Sequence, residues 1–117
     1  MPKLNIKVTV KSSEEDTNYE VPAIIQDEII KYKEPNGTTV IYDYDKKSLF
    51  RENDELRMTY YFNNAEEGII NVKEFNKEIN IDIKTNKLER KNNNIEVEFI
   101  IENNTFLYKI EEIKWVY

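Results

Sequence analysis

The run from Ile79 to Trp115, INIDIKTNKLERKNNNIEVEFIIENNTFLYKIEEIKW, decides how this chain is read. Ile79, Ile81 and Ile83 alternate with Asn80, Asp82 and Lys84, and Ile95, Val97, Phe99 and Ile101 recur at the same period of two. Successive side chains of a strand point to opposite faces, so this alternation predicts strands with one face buried. Asn92-Asn93-Asn94 and Asn103-Asn104 separate the runs. Asparagine tolerates left-handed backbone angles, so both clusters read as tight turns. After Thr105 the pattern changes phase: Phe106, Tyr108 and Ile110 share one parity, Ile113, Trp115 and Tyr117 the other. An extra residue at Glu111-Glu112 predicts a β-bulge there. A terminal helix is the alternative, because Phe106, Ile110, Ile113 and Tyr117 also fit helical spacing.

The same grammar extends towards the N-terminus. Leu4, Ile6, Val8 and Val10 alternate with polar residues, and a second strand is expected from Tyr19 to Ile25. Pro22 marks an edge or irregular point in it, since proline cannot donate to a ladder. Residues 28–34 and 38–44 bracket Pro35-Asn36-Gly37, a strong hairpin signal because Asn and Gly both accept positive φ. A short strand near Leu49 and Phe50 follows. Next comes one carrying Leu56, Met58, Tyr60 and Phe62 on one face and Arg57, Thr59 and Tyr61 on the other. Further strands are expected at Ile69–Phe75, Glu78–Lys84, Lys87–Arg90, Ile95–Glu102 and from Thr105. Ser12-Ser13-Glu14-Glu15 could open a short helix as a capping box, limited by Pro22.

About ten short strands with tight turns and little helix point to a sandwich or barrel. At 117 residues the chain is one domain. So small a sheet cannot leave many edges unpaired, which favours closure into an antiparallel barrel of about 8–10 strands.

Composition removes much chemistry. With no His and no Cys, disulfides, thiolate nucleophiles, Cys/His zinc sites and Ser-His-Asp triads are excluded. Seventeen basic against 23 acidic residues give a net charge of −6, which argues against a nucleic-acid or anionic-membrane binder. The first residues lack the apolar core of a signal peptide, and no apolar run approaches the length of a membrane-spanning helix. The expected location is therefore cytoplasmic, which the absence of cysteine fits. The sequons at Asn36 and Asn103 are read as turns.

The order of strands resembles the YwiB-like family, uncharacterised bacterial proteins with a calycin-like (lipocalin-like) β-barrel. Ile79 to Trp115 is similar to that family's closing strands, with Thr85 in its short strand-to-strand step. Glu20-Val21 through Tyr32, Tyr42 and Tyr44 is similar to its earlier "Glu-Val…Tyr-Tyr…Tyr" segment. Leu56-Arg57-Met58-Thr59 stands where that family has "Met-Arg-x-Gly", without the glycine, and Asn76-Lys77 replace the glycine expected after Phe75. The resemblance implies a barrel and no established activity.

Glu96, Glu98 and Glu102 are read as a solvated strand face in preference to catalytic carboxylates. Glu14-Glu15-Asp16 and Glu52-Asn53-Asp54-Glu55 are surface turns and lack the spacing of a calcium loop. No metal or other cofactor is expected, and no catalytic residue. The aromatic residues either fill the barrel or line a cavity for a small apolar or amphipathic ligand. The expected ligand residues are Tyr42, Tyr60, Tyr108 and Trp115 at the barrel mouth, with Arg57 as polar anchor should it point inward. On its strand's polar parity, Arg57 is otherwise an exposed partner for a carboxylate. The expectation is a non-enzymatic binding module, monomer or homodimer. The alternative is a filled barrel that docks a protein partner through a strand edge or aromatic patch. A carboxylate-dependent enzyme and a single-strand nucleic-acid binder rank behind both.

Overall fold

The computed structural model describes residues 3–113, folded as one antiparallel sheet of eleven strands. They are β1 (Lys3–Lys11), β2 (Asp16–Gln26), β3 (Ile29–Lys33), β4 (Thr39–Asp43), β5 (Ser48–Glu52) and β6 (Leu56–Tyr61). Then follow β7 (Gly68–Val72), β8 (Lys77–Ile81), β9 (Lys84–Lys91), β10 (Asn94–Ile101) and β11 (Asn104–Ile113). A 3-10 turn, Lys73–Phe75, is the one helical element among the described residues. The strands meander from β1 to β8, and a second meander, β9 to β11, returns so that β11 lies against β1. The edges of the sheet are thus β8 and β9, neighbours in sequence.

Right-handed strand twist rolls such a sheet upon itself, and contacts between non-adjacent strands show that it does so here. Phe62, just after β6, meets Phe99 of β10 at 4.9 Å between ring centroids. Tyr32 of β3 meets Tyr108 of β11 hydroxyl to hydroxyl. The result is a barrel-like, partly closed sheet, with one more strand than the upper expected number. Its interior holds alternating residues of these strands: Ile6, Val8, Ile30, Val40, Tyr42, Val97 and Ile110 are all fully buried.

Turn chemistry sets the registers. In the β3–β4 hairpin Gly37 takes φ 92°, its N–H donates to the Glu34 carbonyl, and the Asn36 side chain accepts from the Thr38 N–H. With two glycines in the chain, asparagines supply most other left-handed positions, at Asn64, Asn76, Asn92 and Asn103. Ser12 caps a turn and not a helix, its hydroxyl accepting from the N–H groups of Glu14 and Glu15. Pro22 is tolerated within β2 because β3 pairs only with Ala23–Gln26, so the N–H it lacks is not missed on that side.

Three expectations are corrected. First, the Ile79–Ile83 alternation is not one strand. β8 ends at Ile81 and β9 begins at Lys84, with Ile83 buried in the link against Gly68. Second, β11 runs in unbroken register with β1 and β10, so no bulge occurs at Glu111-Glu112 and no helix forms through Ile113. The register shift lies instead between Glu98 and Phe99, where β9 passes Asn86 without a partner. Third, Phe75 belongs to the 3-10 turn and is 71% exposed. The expected continuation to Trp115 and Tyr117 lies outside the described residues.

Candidate functional site

Across β3 to β6 the register builds two inward rows. One is Ile30, Tyr42, Leu49 and Tyr60; the next is Tyr32, Val40, Arg51 and Met58. An arginine therefore stands in a row of buried apolar residues. Glu34, two positions beyond Tyr32, keeps the inward parity as β3 ends. Val40 is small enough for the two to meet across β4. Arg51 Nε donates to Glu34 Oε2 at 3.0 Å and Nη2 to Glu34 Oε1 at 2.7 Å, a bidentate fork. The Glu34 side chain is only 12% exposed. Burial alone would lower the Arg51 pKa, but the hydrogen bonds and charge of Glu34 more than offset it and raise the value above the ordinary one.

This ion pair borders a cavity of about 480 Å³ at one end of the barrel. Its walls are apolar where β1, β5, β10 and β11 contribute Val10, Leu49, Phe99, Ile101 and Phe106. Tyr19, Tyr60 and Tyr108 add polar-tipped rings, and the β1–β2 turn adds Glu15 at the rim. Phe99 stacks on Phe106 at 5.3 Å, so this wall is a continuous aromatic surface. The Tyr60 hydroxyl donates to the Met58 sulfur at 3.3 Å, a weak acceptor. The Tyr19 hydroxyl is buried and has no hydrogen-bond partner within the structure. Burial raises the pKa of Tyr19 and, with a smaller opposing effect of Arg51, that of Tyr60, so both rings are neutral phenols at ordinary pH. The volume lies within the range of small-molecule sites, and such sites combine apolar walls with a few placed polar groups.

The opposite end is filled. Tyr42 is fully buried and packs edge-on to Tyr44 at 5.1 Å. The Tyr44 hydroxyl donates to the Asn93 carbonyl at 2.8 Å. The Arg90 guanidinium lies 4.2 Å over the Tyr44 ring and bonds Glu28 at 2.6 Å.

The five residues expected at the site are therefore separated. Tyr60 and Tyr108 line the cavity. Tyr42 fills the interior beyond it. Arg57 is on the outer face of β6, in register with Glu52 and Asn71, 55% exposed in its side chain and paired with Glu52 at 2.9 Å. Strand parity alone directs it outward, so it cannot anchor a ligand inside the barrel. Trp115 lies outside the described residues. The arginine that does face inward is Arg51, and its parity with Leu49 is the sequence signal that marks it. Among the described residues no three acidic side chains converge as metal ligands, and no helix is long and apolar enough to cross a membrane.

The fold and site together define a small all-β, barrel-like protein with one end of its interior filled and a cavity at the other. Its architecture is similar to the crystal structure of the ywiB protein from Bacillus subtilis, with a TM-score of 0.56 over 96% of this chain and 91% of that one. The identity is 9%, so the likeness is one of fold. No family model matches the chain, and no curated protein matches it.

Proposed function

We propose that this chain is a calycin-like (lipocalin-like) binding module, divergent within the YwiB-like group, that holds a small amphipathic ligand in the cavity without transforming it. The observation that supports this reading is the cavity itself, aromatic-walled and bordered by a preorganised Arg51–Glu34 pair. Filling side chains would serve stability alone, as Tyr42 does at the other end. An unfilled space of this size forgoes packing contacts, a cost that a ligand would offset.

Native mass spectrometry against the denatured mass tests the reading. The expected result is an added mass that leaves on denaturation, or uptake of an apolar probe by the empty protein. Both are expected to be lost in Ile101→Trp, which fills the cavity from β10. Equal uptake by wild type and Ile101→Trp, or none by either, would overturn it.

A protein-docking role has its own supporting observation. Edge strand β8 is exposed along most of its length, with Ile79 43% and the adjoining Phe75 71% exposed. Exposed apolar edges favour strand pairing with another chain. Sedimentation that detects a dimer in wild type, abolished by Ile79→Lys, would support it. A monomer at all concentrations would exclude self-pairing.

A further inference from the structure

We infer that the head group the cavity accepts is a cation, a protonated amine or similar nitrogen base, and not a carboxylate or phosphate. This rests on the cavity being the binding site.

An inward arginine would ordinarily announce an anion. Here, however, its Nε–Nη2 edge is already held: both donate to Glu34, so the N–H groups that remain lie beside a carboxylate that repels a second anion. The residues around the space carry one guanidinium against two carboxylates, Glu15 and Glu34, a net of −1. An anionic ligand would have to displace Glu34 or sit beside it at low dielectric. A like charge there is costly.

The walls favour the opposite sign. Tyr19, Tyr60, Phe99, Phe106 and Tyr108 all border the space, and the faces of aromatic rings attract cations, most strongly where water is excluded. Glu15 at the rim supplies a compensating charge that remains accessible, being exposed and held only by the Thr17 hydroxyl at 3.2 Å.

Three probes sharing one ring system isolate the head group: naphthylmethylammonium, naphthylmethanol and naphthoate, titrated calorimetrically into the intact protein. The expected order is ammonium, then alcohol, then naphthoate, with about tenfold or more between the extremes. Ile101→Trp keeps the overall charge of the chain and should abolish that preference. A preference that survives it reflects net charge and overturns the inference. Glu34→Gln frees the Arg51 fork, so naphthoate should become the tightest of the three. Should that variant not fold, Glu15→Gln on the exposed rim serves instead, with ammonium binding expected to weaken about threefold and the alcohol to be unmoved. Equal binding of all three, or naphthoate tightest in wild type, would sink the head-group inference and leave the cavity reading standing. No binding of any probe would remove both.

Discussion

The hydroxyls of Tyr32 and Tyr108, 76 residues apart in sequence, meet inside the barrel and hydrogen-bond each other. Tyr32 is 3% and Tyr108 5% exposed, so neither can turn to bulk water. A sheet that curls around a buried polar pair must satisfy it internally, and here strands from the two meanders do so. The bond therefore ties the roll of the sheet to its chemistry.

Removing one partner strands the other. Tyr108→Phe should lower stability by about 1–3 kcal/mol, because the Tyr32 hydroxyl is left buried without a strong partner. Replacing both by Phe should cost less than the sum of the single changes, since no orphan remains. Urea denaturation of the four proteins closes the cycle. Strict additivity would mean that the hydroxyls do not interact.

Alkali should unfold the protein cooperatively. Burial, first among the causes in each case, raises the pKa of Tyr19, Tyr32, Tyr42, Tyr60 and Tyr108, and that of Tyr44 to about 12. An unfolded tyrosine titrates at about 10. The folded state thus holds these protons more tightly. Its stability from them is complete below pH about 10 and is lost as pH rises through the folded values. The tyrosinate absorbance of these six of the chain's eight tyrosines should rise in one steep step that coincides with loss of the far-ultraviolet circular dichroism. Gradual ionisation with the sheet signal unchanged would contradict the burial of these rings.

The acid side follows the opposite sign. Hydrogen bonds from Lys73 and then Arg57 lower the pKa of Glu52, and one from Lys87 leads in lowering that of Glu96. Their contribution is present above the unfolded carboxylate value of about 4.3 and is lost as pH falls through the depressed values. Both pairs are on the surface, so Glu96→Gln should flatten only slightly the pH dependence of the urea midpoint below that range. A large change at neutral pH would indicate a buried role for Glu96.

Arg51 and Glu34 should behave unlike the surface pairs. Glu34→Gln or Arg51→Met alone leaves a poorly solvated charge and should cost roughly 1–3 kcal/mol. That is less than the loss seen for fully buried pairs, because Arg51 keeps a 31% exposed side chain. The double change to Gln and Met should recover part of that loss. Chemical denaturation measures each variant, and a double variant as costly as the sum of the singles would show that the two side chains do not stabilise each other.

These charges also mark where the sequence stops being legible. The strands and the Pro35-Asn36-Gly37 hairpin follow from local rules, because a half-buried ladder needs alternation and a two-stranded turn needs positive φ. Glu34 directly follows β3 and Arg51 is next to last in β5, places where a charge ordinarily faces water. Only the pairing of β3, β4 and β5 places one beside the other. Parity did carry the information: Leu49 predicts an inward Arg51, and Tyr32 an inward Glu34. At the C-terminus the same rule misled. The apolar Ile113 keeps the outer parity, opposite Asn5, and the phase change that suggested a bulge is a change of face without one. Asn86, the residue β9 passes without a partner, is a polar residue in a polar stretch and carries no mark.

Gly68 and Ile83 meet at the seam between the edge strands, and that contact yields the last prediction. A Cβ on Gly68 would lie 2.8 Å from Ile83 Cδ1 and 3.0 Å from the Thr59 carbonyl oxygen. The first clash is with the end of a side chain, the second with backbone that is fixed by the β6–β7 ladder. Ile83 cannot simply withdraw, because it is 4% exposed. Just beyond it, Asn64 accepts from the Thr85 N–H at 2.7 Å and donates to the Thr85 carbonyl at 3.1 Å. Gly68→Ala should therefore cost about 1–3 kcal/mol by overpacking. Ile83→Val removes Cδ1 and alone should cost about 0.5–1.5 kcal/mol. Combined, the two should cost less than their sum, because the valine clears the closer of the two contacts, while the Thr59 oxygen prevents full recovery. Thermal unfolding of the three variants measures the coupling, and simple additivity would show that the seam does not close on this pair.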